Sequence, residues 1–106
     1  MDTKFWGPPM WVSLHSIAHG YPKEPTEEQK RDYKTFMMSV GKVLPCRFCR
    51  ESFIKFSEEL PIDNYLGSKK DLQRWMYFMH NKVNDKLLHQ GEHLKSNPSL
   101  ESVYKK

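Results

Sequence analysis

The 106-residue sequence has only two cysteines, Cys46 and Cys49, too few for the disulfide framework of a small secreted domain. No stretch approaches the roughly 20 apolar residues of a membrane span, so no membrane partner is expected. The first residues, Met1 to Pro9, hold no apolar leader before two prolines interrupt them. These absences predict a chain made and kept in the cytoplasm, or carried elsewhere by something outside the sequence. No segment alternates with period two and no repeat is present, so strands are not expected. The five glycines form no Gly-rich dinucleotide loop. The formal net charge of +4 comes from Lys and Arg scattered among acids, not from a basic stripe with interleaved aromatics. Nucleic acid is therefore not an expected partner, and the charge favours solubility with a weak preference for acidic partners.

What the chain does have is aromatic residues, 13% of the total, and six methionines. These are arranged at helical spacing. Pro8 and Pro9 suit the first turn of a helix, along which Met10, Trp11, Leu14, Ile17 and Ala18 recur at three and four residues until Gly20. Thr26 with Gln29 has the pattern of a capping box and opens a second helix with the stripe Tyr33, Phe36, Met37, Val40, Val43 and Leu44. Pro45 interrupts it and starts a third helix at Cys46, with Cys49, Phe53 and Phe56 on one face. Leu60-Pro61 ends that element, and 62–67 reads as a loop. Ser68 and Asp71 cap a fourth helix carrying Leu72, Trp75, Met76, Met79, His80, Val83 and Leu87, which Gly91 breaks. The predicted fold is an all-α four-helix bundle, with room for a short fifth helical turn before Pro98. Residues 1–95 would form the domain and 96–106 a short polar tail.

The chemistry concentrates at Pro45-Cys46-Arg47-Phe48-Cys49-Arg50. Unpaired N–H groups and the dipole at a helix start favour a thiolate, and Arg47 and Arg50 should lower a cysteine pKa further. A thiol so acidified is a good leaving group in disulfide exchange. Three other readings compete. The pair could be half of a zinc site, though four ligands are wanted and His80 or His89 would join only by coincidence. It could be a thioredoxin-type motif, though that follows a strand. It could be two inert structural thiols. His15, His80, Asn81 and Asn84 stand on otherwise apolar helix faces. Each is ordinarily a satisfied core residue, but together they need partners if buried.

Three blocks, in order, resemble the Erv/ALR family of FAD-linked sulfhydryl oxidases. They are Trp11, Leu14, His15 and Ala18 running to Tyr21-Pro22; Leu44-Pro45-Cys46-Arg47-Phe48-Cys49; and Trp75 with His80-Asn81-Lys82-Val83-Asn84-Asp85-Lys86-Leu87. They span about residues 6 to 90. The resemblance implies a thiol oxidase that forms disulfides, with FAD held among the helices and electrons passing from substrate thiols through Cys46 and Cys49 to oxygen, releasing hydrogen peroxide. It implies that Gly7, Trp11 and His15 line the FAD pocket from the first helix, Phe53 from the third, and Tyr77, His80, Asn81, Val83, Asn84, Lys86 and Leu87 from the fourth. Lys86 would neighbour a phosphate. Cys49 would lie against the isoalloxazine and react with it, while Cys46 exchanges disulfides with the incoming thiol. No metal is called for.

The same resemblance implies a homodimer paired through helix faces and protein dithiol partners, of which a thioredoxin-like donor suits an exposed Cys46. The chain departs from the family in having no shuttle disulfide and no disulfide bracing the fourth helix, where Tyr77 stands in place of a cysteine. Only Tyr104 remains of the aromatic-basic segment near the adenine. In these respects it is similar to the minimal members of large DNA viruses, which implies host cytoplasm or virion. A reading from another class remains open: a non-enzymatic helical interaction module with a redox-sensing or metal-binding CxxC.

Overall fold

Each apolar stripe at three- and four-residue spacing becomes a helix, and none of the described residues lies in a strand. The computed structural model describes residues 3–89, in the order α1 (Thr3–His19), α2 (Glu27–Lys42), α3 (Arg47–Glu59), a 3₁₀ turn (Ile62–Tyr65) and α4 (Lys69–His89). α1 packs along α4 and α2 along α3, while α3 and the 3₁₀ turn meet α4. This is the all-α, four-helix architecture that the periodicity predicts. The expected fifth turn, the boundary at 95/96, the polar tail and Tyr104 lie outside the described residues.

The helix starts follow local chemistry. The Gln29 amide donates to Thr26 Oγ1 at 3.1 Å while the Thr26 amide donates to Gln29 Oε1 at 2.9 Å, which closes the capping box. Ser68 Oγ accepts from the Asp71 amide at 3.2 Å at the head of α4. Cys46 is the N-cap of α3, in extended conformation, and its side chain takes the Cys49 amide.

Three expectations are corrected. Pro8 and Pro9 lie inside α1, which begins at Thr3. Proline cannot donate the i→i−4 bond, but here the loss falls in the first turns, where Gly7 is buried and packing holds the segment helical. The 62–67 stretch is not a mere loop, because Ile62 and Leu66 are core residues. Tyr21 Oη donates to the Leu66 carbonyl at 2.7 Å and Trp75 Nε1 to the Leu60 carbonyl at 2.9 Å, which bind this connection from both sides. Finally, Phe36 and Val43 leave the α2 stripe for solvent. Val43 is the C-cap, with φ −117° and ψ 14°, so the helical period no longer governs where its side chain points.

Ala18, Tyr21, Met37, Leu72, Trp75, Met76 and Met79 fill the centre. Burying a side chain of this size stabilises by about 1.5–3 kcal/mol. Gly41 is a point of close approach between α2 and α3: a Cβ there would overlap the ring of Phe53. The absence of a side chain thus seats Phe53 against the backbone of α2. Among the described residues, no helix is long and apolar enough to cross a membrane.

Candidate active site

Proline 45 and the extended Cys46 turn the chain out of α2 and into α3, so that both thiols sit at a helix head. Both cysteines are free. The Cys49 amide donates to Cys46 Sγ at 3.3 Å. The Cys49 thiol is the main influence that lowers the Cys46 pKa by hydrogen bonding; the Cys49 and Phe48 amides and the Lys86 charge lower it too, against burial. Burial and the neighbouring Cys46 instead raise Cys49 to about 11. Of the two thiols, Cys46 is therefore the one that ionises first.

The cations are placed differently from the sequence reading. Arg47 is exposed and pairs with Glu51 at 3.2 Å. Arg50 donates to the Leu44 carbonyl at 2.5 Å, which pins the turn before α3, and it favours the thiolate of Cys49 only. Lys86 acts on both thiols. It reaches across from α4 and donates to Ser52 Oγ, one turn beyond Cys49.

The thiols open onto a cavity of about 490 Å³, within the range of small-molecule sites. Its walls are Trp6, Gly7, Met10, Trp11 and Leu14 from α1, Met37 and Gly41 from α2, Phe53 and Phe56 from α3, and Trp75, Met76, Met79, Val83 and Lys86 from α4. Of the residues implicated by sequence, Gly7, Trp11, Cys46, Cys49, Phe53, Val83 and Lys86 line this space.

His15 and His80 lie immediately behind the Trp11 wall. The Trp11 and His80 rings stack at 3.9 Å with an 11° interplanar angle, and His15 Nε2 meets His80 Nδ1 at 2.9 Å. Asn84 is buried. Tyr77, His80, Asn81 and Asn84 recur at helical spacing along one ridge of α4, beside the Met76, Met79, Val83 and Lys86 face that walls the cavity. Tyr77 does not line the cavity; its ring contacts Phe78 at 5.6 Å. Leu87 falls in the last turns of α4, beyond the described side chains.

Two buried polar atoms have no hydrogen-bond partner among the described residues, Trp6 Nε1 and Asn81 Oδ1. Such atoms are few in folded proteins. Of the two, Trp6 lines the cavity, and an apolar slot with flat aromatic walls and an unspent donor fits a large planar heterocycle with a polar edge. Among the described residues, no three His, Cys, Asp or Glu side chains are grouped to hold a metal.

Sequence reasoning missed Trp6, Ser52 and the reach of Lys86 to the thiols. Trp6 was legible, since Trp6, Met10 and Leu14 continue one stripe with a spacing of four, but the prolines concealed its start. Ser52 shares the Cys49 face at i+3, yet nothing local marks it as the seat of a lysine 34 residues away.

The histidine pair makes stability depend on pH. Burial lowers His80 to about 4 from 6.5, His15 adds to the fall, and burial lowers His15 as well. An unfolded chain then binds more protons than the folded one between 6.5 and about 4. Their contribution is full above 6.5 and is lost as pH drops toward 4. Thermal unfolding midpoints should fall through this window, and fall less in a His80→Gln variant. Equal slopes in the two proteins would rule out His80 as a source.

Residues 8–103 match the family model described as the Erv1 / Alr family. The chain is 38% identical over 86 residues to the mitochondrial FAD-linked sulfhydryl oxidase ERV1 of Saccharomyces cerevisiae, covering 81% of this chain and 44% of that protein. It is 40% identical over 85 residues to a probable FAD-linked sulfhydryl oxidase, R368, of Acanthamoeba polyphaga mimivirus, covering 79% and 59%. The chain thus spans about half the length of the curated relatives it matches. The crystal structure of the FAD binding domain of Erv1 from Saccharomyces cerevisiae superposes with a TM-score of 0.86 at 34% identity, covering 99% of this chain and 92% of that one.

Proposed function

Because this chain belongs to the Erv1 / Alr family, we propose that it is an FAD-dependent thiol oxidase that makes disulfides. Electron pairs pass from substrate dithiols through Cys46 and Cys49 to the flavin and on to oxygen, which leaves as hydrogen peroxide. The observation that carries this reading is the placement of the two thiols in the wall of the same cavity as Trp11 and Phe53. Bound FAD would supply the two-electron acceptor that thiols need to reduce oxygen.

The residues of this chain divide the work. Gly7, Trp11, Phe53 and Val83 would bound the flavin in the cavity, with Trp6 Nε1 offering it a donor, while Asn81, whose Oδ1 is also unspent, stands on the ridge beside that cavity. His15, His80 and Asn84 would hold the polar ridge in place behind it, with Tyr77 and Leu87 on the same helix. Cys46 is the more acidic thiol of the reduced pair, so it is the better leaving group and would be the sulfur that exchanges with substrate. A substrate thiolate bonds to Cys46 Sγ as the Cys46–Cys49 bond breaks; the substrate's second thiolate then displaces Cys46 and leaves oxidised. That exchange leaves Cys46 and Cys49 as a dithiol, and bound FAD would be the acceptor of the two electrons and protons whose loss restores the disulfide.

Phe48, 70% exposed, forms the outer lip of the cavity, beside the exposed Arg47. That lip suits a protein donor that presents one cysteine on a flat face, as a thioredoxin-like protein does, and small dithiols as well. Pairing of two copies through helix faces would cover the exposed Phe5 and Val12, seven residues apart on α1.

Colour is the test. The purified protein should be yellow, should bleach when dithiothreitol is added without air, and should recover on aeration while peroxide accumulates with the dithiol consumed. A colourless protein that takes up no FAD would sink the reading. Bleaching without peroxide would transfer the electrons to another acceptor.

A further inference from the structure

Lys86 is set apart among the cations near the site. None of the ion pairs among the described residues involves it, whereas Arg47 is taken by Glu51 and Arg50 by the Leu44 carbonyl. Its side chain crosses from α4 to α3 and ends on the hydroxyl of Ser52. Ser52 follows Cys49 by one helical turn, so the two side chains share a face, and all three, with Cys46, wall the same cavity.

We propose that Lys86, fixed by the Ser52 hydroxyl, is the cation that stabilises Cys49 as the leaving thiolate when a substrate thiol opens the Cys46–Cys49 disulfide, with Ser52 as its positioning residue. This rests on the thiol-exchange part of the reading above. In that step the substrate sulfur bonds to Cys46 Sγ, the Cys46–Cys49 bond breaks, and Cys49 departs with the bonding electron pair. The charge thereby arises on the sulfur that burial makes the worse host. Exchange is slow when the leaving thiol has a high pKa, so the site needs a positive group at Cys49 at that moment. Once Cys46 is tied up in the mixed disulfide, its repulsion of a Cys49 thiolate is gone and the field of Lys86 remains. The other charged groups facing the pair are Arg50 on α3, which favours the Cys49 thiolate more weakly than Lys86, and Lys4 at the α1 wall of the cavity. The α2 wall, Met37, Val40 and Gly41, has no titratable group. A lysine held by a neutral hydroxyl keeps its full charge for the sulfur, as one held by a carboxylate would not.

The test isolates Cys49. In a Cys46→Ser protein it is the one remaining cysteine, so its alkylation by iodoacetamide, followed by mass spectrometry across pH, reports its acidity directly. Adding Lys86→Met should raise the midpoint by about one pH unit or more, the effect of losing a nearby opposite charge. Ser52→Ala should raise it part of the way, and Lys86→Arg should leave it near its starting value. Unchanged midpoints in both Lys86→Met and Ser52→Ala would overturn the proposal. So would an equal rise in Lys86→Arg, because charge would then not be the agent. If Lys86→Met does not fold, Ser52→Ala decides alone. The readout needs neither flavin nor oxygen, so a protein that shows the shift but never reduces oxygen would refute the oxidase reading and leave this one standing.

Discussion

Replacing Cys49 with serine is expected to end turnover and to remove any long-wavelength absorbance of a thiolate lying beside the flavin. Replacing Cys46 with serine should also end turnover, yet preserve a Cys49 thiolate able to give that absorbance. The asymmetry follows from the structure. Cys46 is the more acidic of the two because the Cys49 amide and thiol both hydrogen-bond to Cys46 Sγ. Removing Cys46 frees Cys49 from that competition while Lys86 and Arg50 still favour its thiolate. Each loss should be of several orders of magnitude, since exchange through one sulfur cannot complete a disulfide. Absorbance that survives in Cys49→Ser and disappears in Cys46→Ser would reverse the two roles.

His80→Ala is expected to cost the protein its cofactor and much of its stability together. His80 stacks on Trp11 at 3.9 Å and bonds His15 at 2.9 Å, so the truncation opens a cavity behind the pocket wall and leaves a histidine nitrogen to seek a new partner. Truncations of this kind cost about 2–4 kcal/mol, which in a domain of this size lowers the melting midpoint by roughly 10 °C or more. Trp11 would then lose the ring that holds it upright. The measurement is flavin content per chain beside the thermal midpoint. A variant that stays yellow and melts as before would show that His80 does not support the Trp11 wall of the site.

Much of this was legible because the helices are local objects. The capping box at Thr26 and Gln29 and the Pro45-Cys46 start of α3 depend on residues within one turn, and so can be read from one segment. The periodic stripes on α1 and α4 name their own inner faces. The failures share a cause. Pro8 and Pro9 carry a local rule that places them at a helix start, and packing around Gly7 overrides it. Ile62 and Leu66 sit in a stretch too short for periodicity to declare, and Trp75 and Tyr21, distant in sequence, are what make them core.

By itself the sequence determined the helical class, the Cys46–Cys49 pair at a helix head, and the family resemblance carried in part by Trp11, His15, His80, Asn81 and Asn84. These depend on spacing along one chain segment, where each residue's neighbours are fixed by the 3.6-residue turn. Only the tertiary structure decided how charge is distributed at the site. Arg47 and Arg50 look like the activating cations because they are adjacent in sequence, yet helix geometry turns one to Glu51 and the other to the Leu44 carbonyl. Lys86 acts from another helix altogether. Electrostatic influence falls with distance through space, not along the chain, so which cation governs Cys49 was settled when α4 packed against α3.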